Sequence, residues 1–178
     1  MFGTELNLPN VIITGTPGVG KTSLSILLTD KLNEKFNTDK FVHLNLGKIV
    51  NDMQMYTEWN QEFDVPEFDE DKVLDYLEPL IKEGGKIIDF HSADFIEDDL
   101  IPLVVLLRCN NTVLYDRLAE RNYTEKKIKE NIECEIMEVT ADDVRQYFPM
   151  EKILEIPNEE VEQMESNIEL IVERLSNQ

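Results

Sequence analysis

Residues 15 to 22 read Gly-Thr-Pro-Gly-Val-Gly-Lys-Thr, and Ser23 follows. Gly15, Gly18 and Gly20 can take backbone angles that other residues avoid, so the chain can approach a ligand closely. The loop N–H groups and the start of a following helix then face an anion. Lys21 is placed to reach terminal phosphates and the Thr22 hydroxyl to ligate Mg²⁺. The chemistry expected is the binding of ATP with Mg²⁺. Gly15, Pro17, Gly18, Val19, Gly20, Lys21, Thr22 and Ser23 line the nucleotide, and Lys21 is catalytic.

Further residues extend that chemistry. Asp89 ends the apolar run Lys86-Ile87-Ile88-Asp89, where a strand-end carboxylate can hold the hydration shell of Mg²⁺. A capping aspartate is the plainer alternative. His91 lies two residues on, on the same side if the strand continues. It either orients a water or phosphoryl acceptor or is structural. Arg117 and Arg121 are four apart, which puts both on one face of a helix. There they either stabilise charge on a transferring phosphoryl group or form salt bridges with Glu120 and Glu125.

The elements that must position these groups alternate between strand and helix. Strands are expected at 10–14, 40–45, 86–90, 103–107 and 152–156. Helices are expected at 20–36, 47–54, 70–83, 111–121, 124–147 and 159–176. Asp69 caps the third helix and Gly84-Gly85 ends it. Residues 55–69 read as irregular and acidic-aromatic. The run Leu103-Val104-Val105-Leu106-Leu107 is apolar throughout, as a central parallel strand should be. The expectation is one α/β domain over 1–178: a P-loop NTPase three-layer fold with a five-stranded parallel sheet and helices on both faces. Ligands in such sheets bind at the carboxyl ends of the strands.

Composition narrows the partners. The chain has 178 residues, with 37 acidic against 17 basic, for a net charge of −20. Such a surface repels nucleic acid, so no direct DNA binding is expected. It suits a basic protein partner, or simply aids solubility. No run is apolar enough to cross a membrane, and Met1-Phe2-Gly3-Thr4-Glu5 has no signal-like core. An intracellular protein is expected, with Cys109 and Cys134 as reduced thiols.

With these residues assembled, the chain resembles the atypical nuclear adenylate kinases, a family that includes ribosome-assembly ATPases. The resemblance rests on the loop with its Pro17, on Asp69-Glu70-Asp71-Lys72-Val73, and on Asp89-Phe90-His91, which is similar to the family's aspartate-aromatic-histidine motif. It rests also on Asn111 to Leu118, on Arg121 to Lys127, and on Asn131-Ile132-Glu133-Cys134-Glu135-Ile136. It implies an adenylate kinase-like fold with a short lid at about 121–131 and a monophosphate-binding region at about 45–68. Arg121 would contact ATP from the lid, and Asn45, Gly47 and His91 would meet AMP. It further implies ATPase and modest adenylate kinase activity on AMP or dAMP, in a monomer. Residence would be in the nucleus (nucleolus and nucleoplasm) and the cytoplasm, in late small-subunit ribosome assembly, with a basic ribosomal protein as partner. The chain departs from the family pattern in three places. Asn122 stands for a glycine, Lys48 and Asn51 stand where family members carry Asp and then Arg, and Pro157-Asn158-Glu159-Glu160 lacks a lysine near the adenine loop.

Overall fold

A computed structural model describes residues 8–60 and 65–177. The N-terminal stretch read above, Phe63 within the acidic-aromatic segment, and the side chains of Trp59 and Pro66 lie outside the described residues. In chain order the elements are β1 (Val11–Thr14), α1 (Lys21–Phe36), β2 (Val42–Asn45), α2 (Leu46–Asp52), β3 (Tyr56–Asn60), β4 (Val65–Phe68) and α3 (Glu70–Glu83). Then come β5 (Lys86–Asp89), β6 (Leu103–Arg108), α4 (Asn111–Glu120), α5 (Glu125–Ile136), α6 (Val139–Tyr147), β7 (Ile153–Pro157) and α7 (Val161–Ser176).

The main sheet has five strands in the order β2-β5-β1-β6-β7, every neighbouring pair parallel. Side chains alternate across it. Val11 and Ile13 of β1 join Val105 and Leu107 of β6 against Leu24, Leu28 and Leu32 of α1 and Ile171, Val172 and Leu175 of α7. Ile12, Ile88, Val104 and Leu106 turn the other way, onto Val73, Leu77 and Ile81 of α3 and Ala141 and Val144 of α6. Burial on both faces explains why the central strands read as unbroken apolar runs. The three-layer α/β expectation is met. The strands diverge from β1 in opposite directions along the sheet, and at such a point the carboxyl ends leave a crevice.

Two expectations are corrected. Within the segment 55–69, the described residues 56–60 and 65–68 are not irregular. β3 and β4 form a two-stranded antiparallel ribbon, with Tyr56 opposite Phe68 and a register shift between Tyr56 and Trp59. Pro66 and the shift remove the clean alternation that would announce it. The helix expected at 124–147 is broken at Glu138, whose φ is 56°. A non-glycine residue there costs about 1–2 kcal/mol. Glu138 is held by hydrogen bonds from Arg145 at 2.8 Å and Arg108 at 3.2 Å, which offset that cost.

Asn122 also adopts left-handed geometry, with φ 57°. It closes α4 through its own N–H on the Ala119 carbonyl and the Tyr123 N–H on that of Leu118, so the turn keeps its form without glycine. Asn122→Gly is expected to leave stability nearly unchanged, whereas Asn122→Val should lower it by about 1–2 kcal/mol in urea denaturation.

Candidate functional site

The phosphate loop runs from the end of β1 to the first turn of α1. Gly15, Gly18 and Gly20 all have positive φ, at 145°, 97° and 99°. A Cβ on Gly15 would stand 2.6 Å from the Leu107 carbonyl, and one on Gly20 would stand 2.4 Å from the Asn158 side-chain nitrogen. Glycine is therefore required here by both angle and space. Lys21 Nζ donates to the Gly15 carbonyl at 2.7 Å and the Thr16 carbonyl at 3.1 Å. Burial pulls its pKa down to about 8, with Arg121 adding and Asp89 and Glu135 opposing.

The loop faces a cavity of about 290 Å³ lined by Pro17, Gly18, Gly20, Lys21, Thr22, Asn45, Gly47, Asp89, Phe90, His91, Arg121 and Tyr123. Gly15, Val19 and Ser23 do not line it. Gly15 supplies a carbonyl to Lys21, Val19 is buried in the core, and Ser23 is exposed on α1. Asp89 at the end of β5 is 3 % exposed. Its Oδ2 accepts from Thr22 Oγ1 at 2.6 Å and from Asn45 Nδ2 at 3.3 Å, and lies 3.2 Å from His43 Nε2. Asn45 is shared between tasks, because its Oδ1 also caps α2 by accepting the Lys48 N–H at 2.9 Å.

The Thr22 hydroxyl and the Asp89 carboxylate are hard oxygen donors, the type Mg²⁺ prefers. Among the described residues no cluster of three His, Cys, Asp or Glu could form a metal cage. Two oxygens at a phosphate loop fit a cation that arrives with a nucleotide and keeps several waters.

His91 follows the β5 end, its ring 4.3 Å from that of Phe90 and 6.3 Å from that of Phe68. The residue as a whole is exposed. Desolvation in this crowded recess, with Lys21 adding and Asp94 opposing, pulls its pKa down to about 4. Arg121 has moved off the helix, because α4 ends at Glu120, and it reaches the cavity. Arg117 does not join it. Its guanidinium donates to the carbonyls of Gly18 at 3.4 Å, Asn158 at 2.9 Å and Glu159 at 2.6 Å. Of the two arginines expected at one site, only Arg121 lines this cavity, while Arg117 fastens the phosphate loop to the segment after β7.

Sequence reasoning missed His43, Tyr123 and Glu135 as parts of this region. His43 could have been found from the two-residue period that puts it on the Asn45 face of β2. Tyr123 lines the cavity and lies beneath Lys127 Nζ, 4.5 Å from its ring centre. Glu135, on α5 and 5 % exposed, accepts from Thr16 Oγ1 at 2.5 Å, Arg108 Nε at 2.7 Å and the Cys109 N–H at 3.3 Å. It ties the phosphate loop to the end of β6 and to the last turn of α5, whose first half falls within the expected lid.

Known proteins resemble this chain in sequence and in fold. The AAA domain family profile matches residues 11–138. An adenylate kinase isoenzyme 6 homolog of Schizosaccharomyces pombe is 38% identical over 177 residues, covering 99% of this chain and 97% of that protein. One from Plasmodium falciparum is 40% identical over 174 residues, covering 92% and 94%. The homolog named HBR1, of Candida albicans, is 40% identical over 166 residues, covering 92% and 67%. Among solved structures, a shikimate kinase of Bacteroides thetaiotaomicron superimposes with TM-score 0.51 at 16% identity, covering 94% of this chain and 98% of that one. A gluconokinase of Sinorhizobium meliloti gives 0.57 at 12%, covering 96% and 97%. These two likenesses concern the fold.

Two measurements test the site. The His91 imidazole should titrate near 4 by proton NMR. Its folded pKa lies below that of the unfolded chain, so unfolding takes up a proton between about pH 6.5 and 4. Its contribution to stability is then complete above pH 6.5 and lost as pH falls to about 4, and His91→Gln should remove that part of the slope. Glu135→Ala should cost about 3 kcal/mol in chemical denaturation, because it leaves a partly buried guanidinium and a buried N–H without their main acceptor. By sequence, the chain belongs to the adenylate kinase isoenzyme 6 homologs, within the P-loop nucleotide kinase and ATPase family.

Proposed function

We propose that the protein transfers the γ-phosphoryl group of Mg²⁺-bound ATP to AMP or dAMP, and to water when no acceptor is bound. The observation that carries this reading is the convergence of Lys21, Thr22, Asp89, His91 and Arg121 on one cavity at the strand ends. Loop N–H groups and Lys21 hold the phosphates. A phosphate draws Lys21 away from the Gly15 and Thr16 carbonyls and favours its charged form. Thr22 directly, and Asp89 through water, would hold Mg²⁺, which would neutralise charge on the phosphates. Arg121 stabilises charge on the moving group and has no ion-pair partner among the described residues. His91 is neutral at pH 7 and too weak a base to take a proton efficiently, so it orients the acceptor or water through a hydrogen bond. Asn45 and Gly47 border the acceptor, in a region from about 45 to 68. The segment at about 121–131 is the lid that excludes water.

The acceptor side is poor in cations. Lys48 pairs with Asp52 at 2.5 Å, and Asn51 accepts the Tyr56 hydroxyl. A weak grip on the AMP phosphate follows, with a share of turnover lost to water. Separating nucleotides after incubation with ATP and Mg²⁺, with and without AMP, checks this. AMP-dependent ADP at twice the ATP consumed marks transfer, and one-for-one ADP with phosphate marks hydrolysis. Lys21→Met is expected to lower either rate about 100-fold or more. Turnover unchanged in that variant sinks the assignment.

A second reading is favoured by the net charge of −20 and makes ATP a switch for binding a basic small-subunit ribosomal protein in the nucleus. A monomer whose hydrolysis responds to such a partner, in a salt-sensitive complex, supports it; neither binding nor response removes it.

A further inference from the structure

The geometry points to His43 as a positioning residue for Asp89, acting on the hold of Mg²⁺-nucleotide; the inference rests on the Mg²⁺-ATP reading above. His43 sits on β2 opposite Ile87, and Asn45 sits opposite Asp89. Both side chains therefore leave the same face of β2, and the imidazole reaches diagonally to the carboxylate. Nε2 lies 3.2 Å from Asp89 Oδ2, with His43 17% and Asp89 3% exposed at the side chain.

Every hydrogen bond that the described residues offer the Asp89 carboxylate falls on Oδ2. Three contacts from two directions, α1 and β2, fix the rotation of the group. Oδ1 takes none from the described residues and is left for the water shell of a cation. The three partners are not equivalent. Thr22 carries the hydroxyl that would ligate Mg²⁺, and Asn45 spends its oxygen on the cap of α2. Among the described residues His43 makes no other side-chain hydrogen bond. Nor does the sheet need it, because β2 and β5 are already paired from Val42 to Asn45. Partners that orient a metal-binding group commonly change metal affinity or activity by roughly 10–100-fold when removed.

The test compares His43→Gln, whose amide N–H can reach the same oxygen, with His43→Leu, which keeps bulk and removes the donor. Binding of a fluorescent ATP analogue is titrated at stepped Mg²⁺ and in EDTA, beside kcat. The Leu variant should need about tenfold more Mg²⁺ for half-maximal binding and lose kcat. The Gln variant should stay close to wild type, and binding in EDTA should be the same for all three. Should the Leu chain not fold, His43→Met takes its place. A Leu or Met variant with wild-type Mg²⁺ dependence overturns the inference. So do equal losses in Gln and Leu, which would mean ring packing, or a matching loss in EDTA. A wild type whose nucleotide binding ignores Mg²⁺ overturns the underlying reading and this inference with it; Mg²⁺-dependent wild type matched by the Leu variant overturns this inference alone.

Discussion

A carboxylate buried at the end of a parallel strand must be solvated by protein, and much of this site follows from that need at Asp89. Removing a charge from water costs several kcal/mol unless donors replace the lost hydration. Here the donors come from Thr22 on α1 and from Asn45 and His43 on β2. Satisfying one oxygen therefore holds the start of the first helix and the second strand against the end of β5. Lys21 stands close enough to feel the same charge, which partly offsets its own burial.

Cations are scarce, and the protein deploys them unevenly. Arg108 serves Glu135, Glu138 and Glu155, and Arg145 serves Glu138, Glu155 and Asp142. This lattice sits behind the phosphate loop and joins α5, α6 and β7 to the end of β6. Its exposed members add little by themselves. The buried Glu135 matters more, since it reaches through to Thr16. Two arginines with the same helical spacing meet different fates for a geometric reason. Arg117 lies inside α4, turned to the loop carbonyls, and Arg121 lies one residue beyond its end.

What could be read in the chain was local. The phosphate loop is contiguous, and its glycines, lysine and threonine state their geometry in eight residues. The sheet was legible because β1, β5 and β6 are buried on both faces and so lack polar interruption. Asp89 was legible as the acid that ends an apolar run, whereas His91 lies beyond the end of β5, outside the two-residue period. Illegible were contacts between distant residues: His43 with Asp89 across 46 positions and Glu135 with Thr16 across 119. No local pattern encodes such pairs. The break at Glu138 was hidden because neither glycine nor proline marks it. Two arginines stabilise it, Arg145 from within α6 and Arg108 from a strand thirty positions earlier.

The central place of β1 has a consequence for how the molecule opens. β1 is bonded to a neighbour along both edges and covered by helices on both faces, so its amides belong to the last part to exchange hydrogen with water. The phosphate loop hangs from that strand, while the segments around it are held by side chains and short helices. Partial unfolding can then loosen the surroundings and leave the loop's anchor ordered.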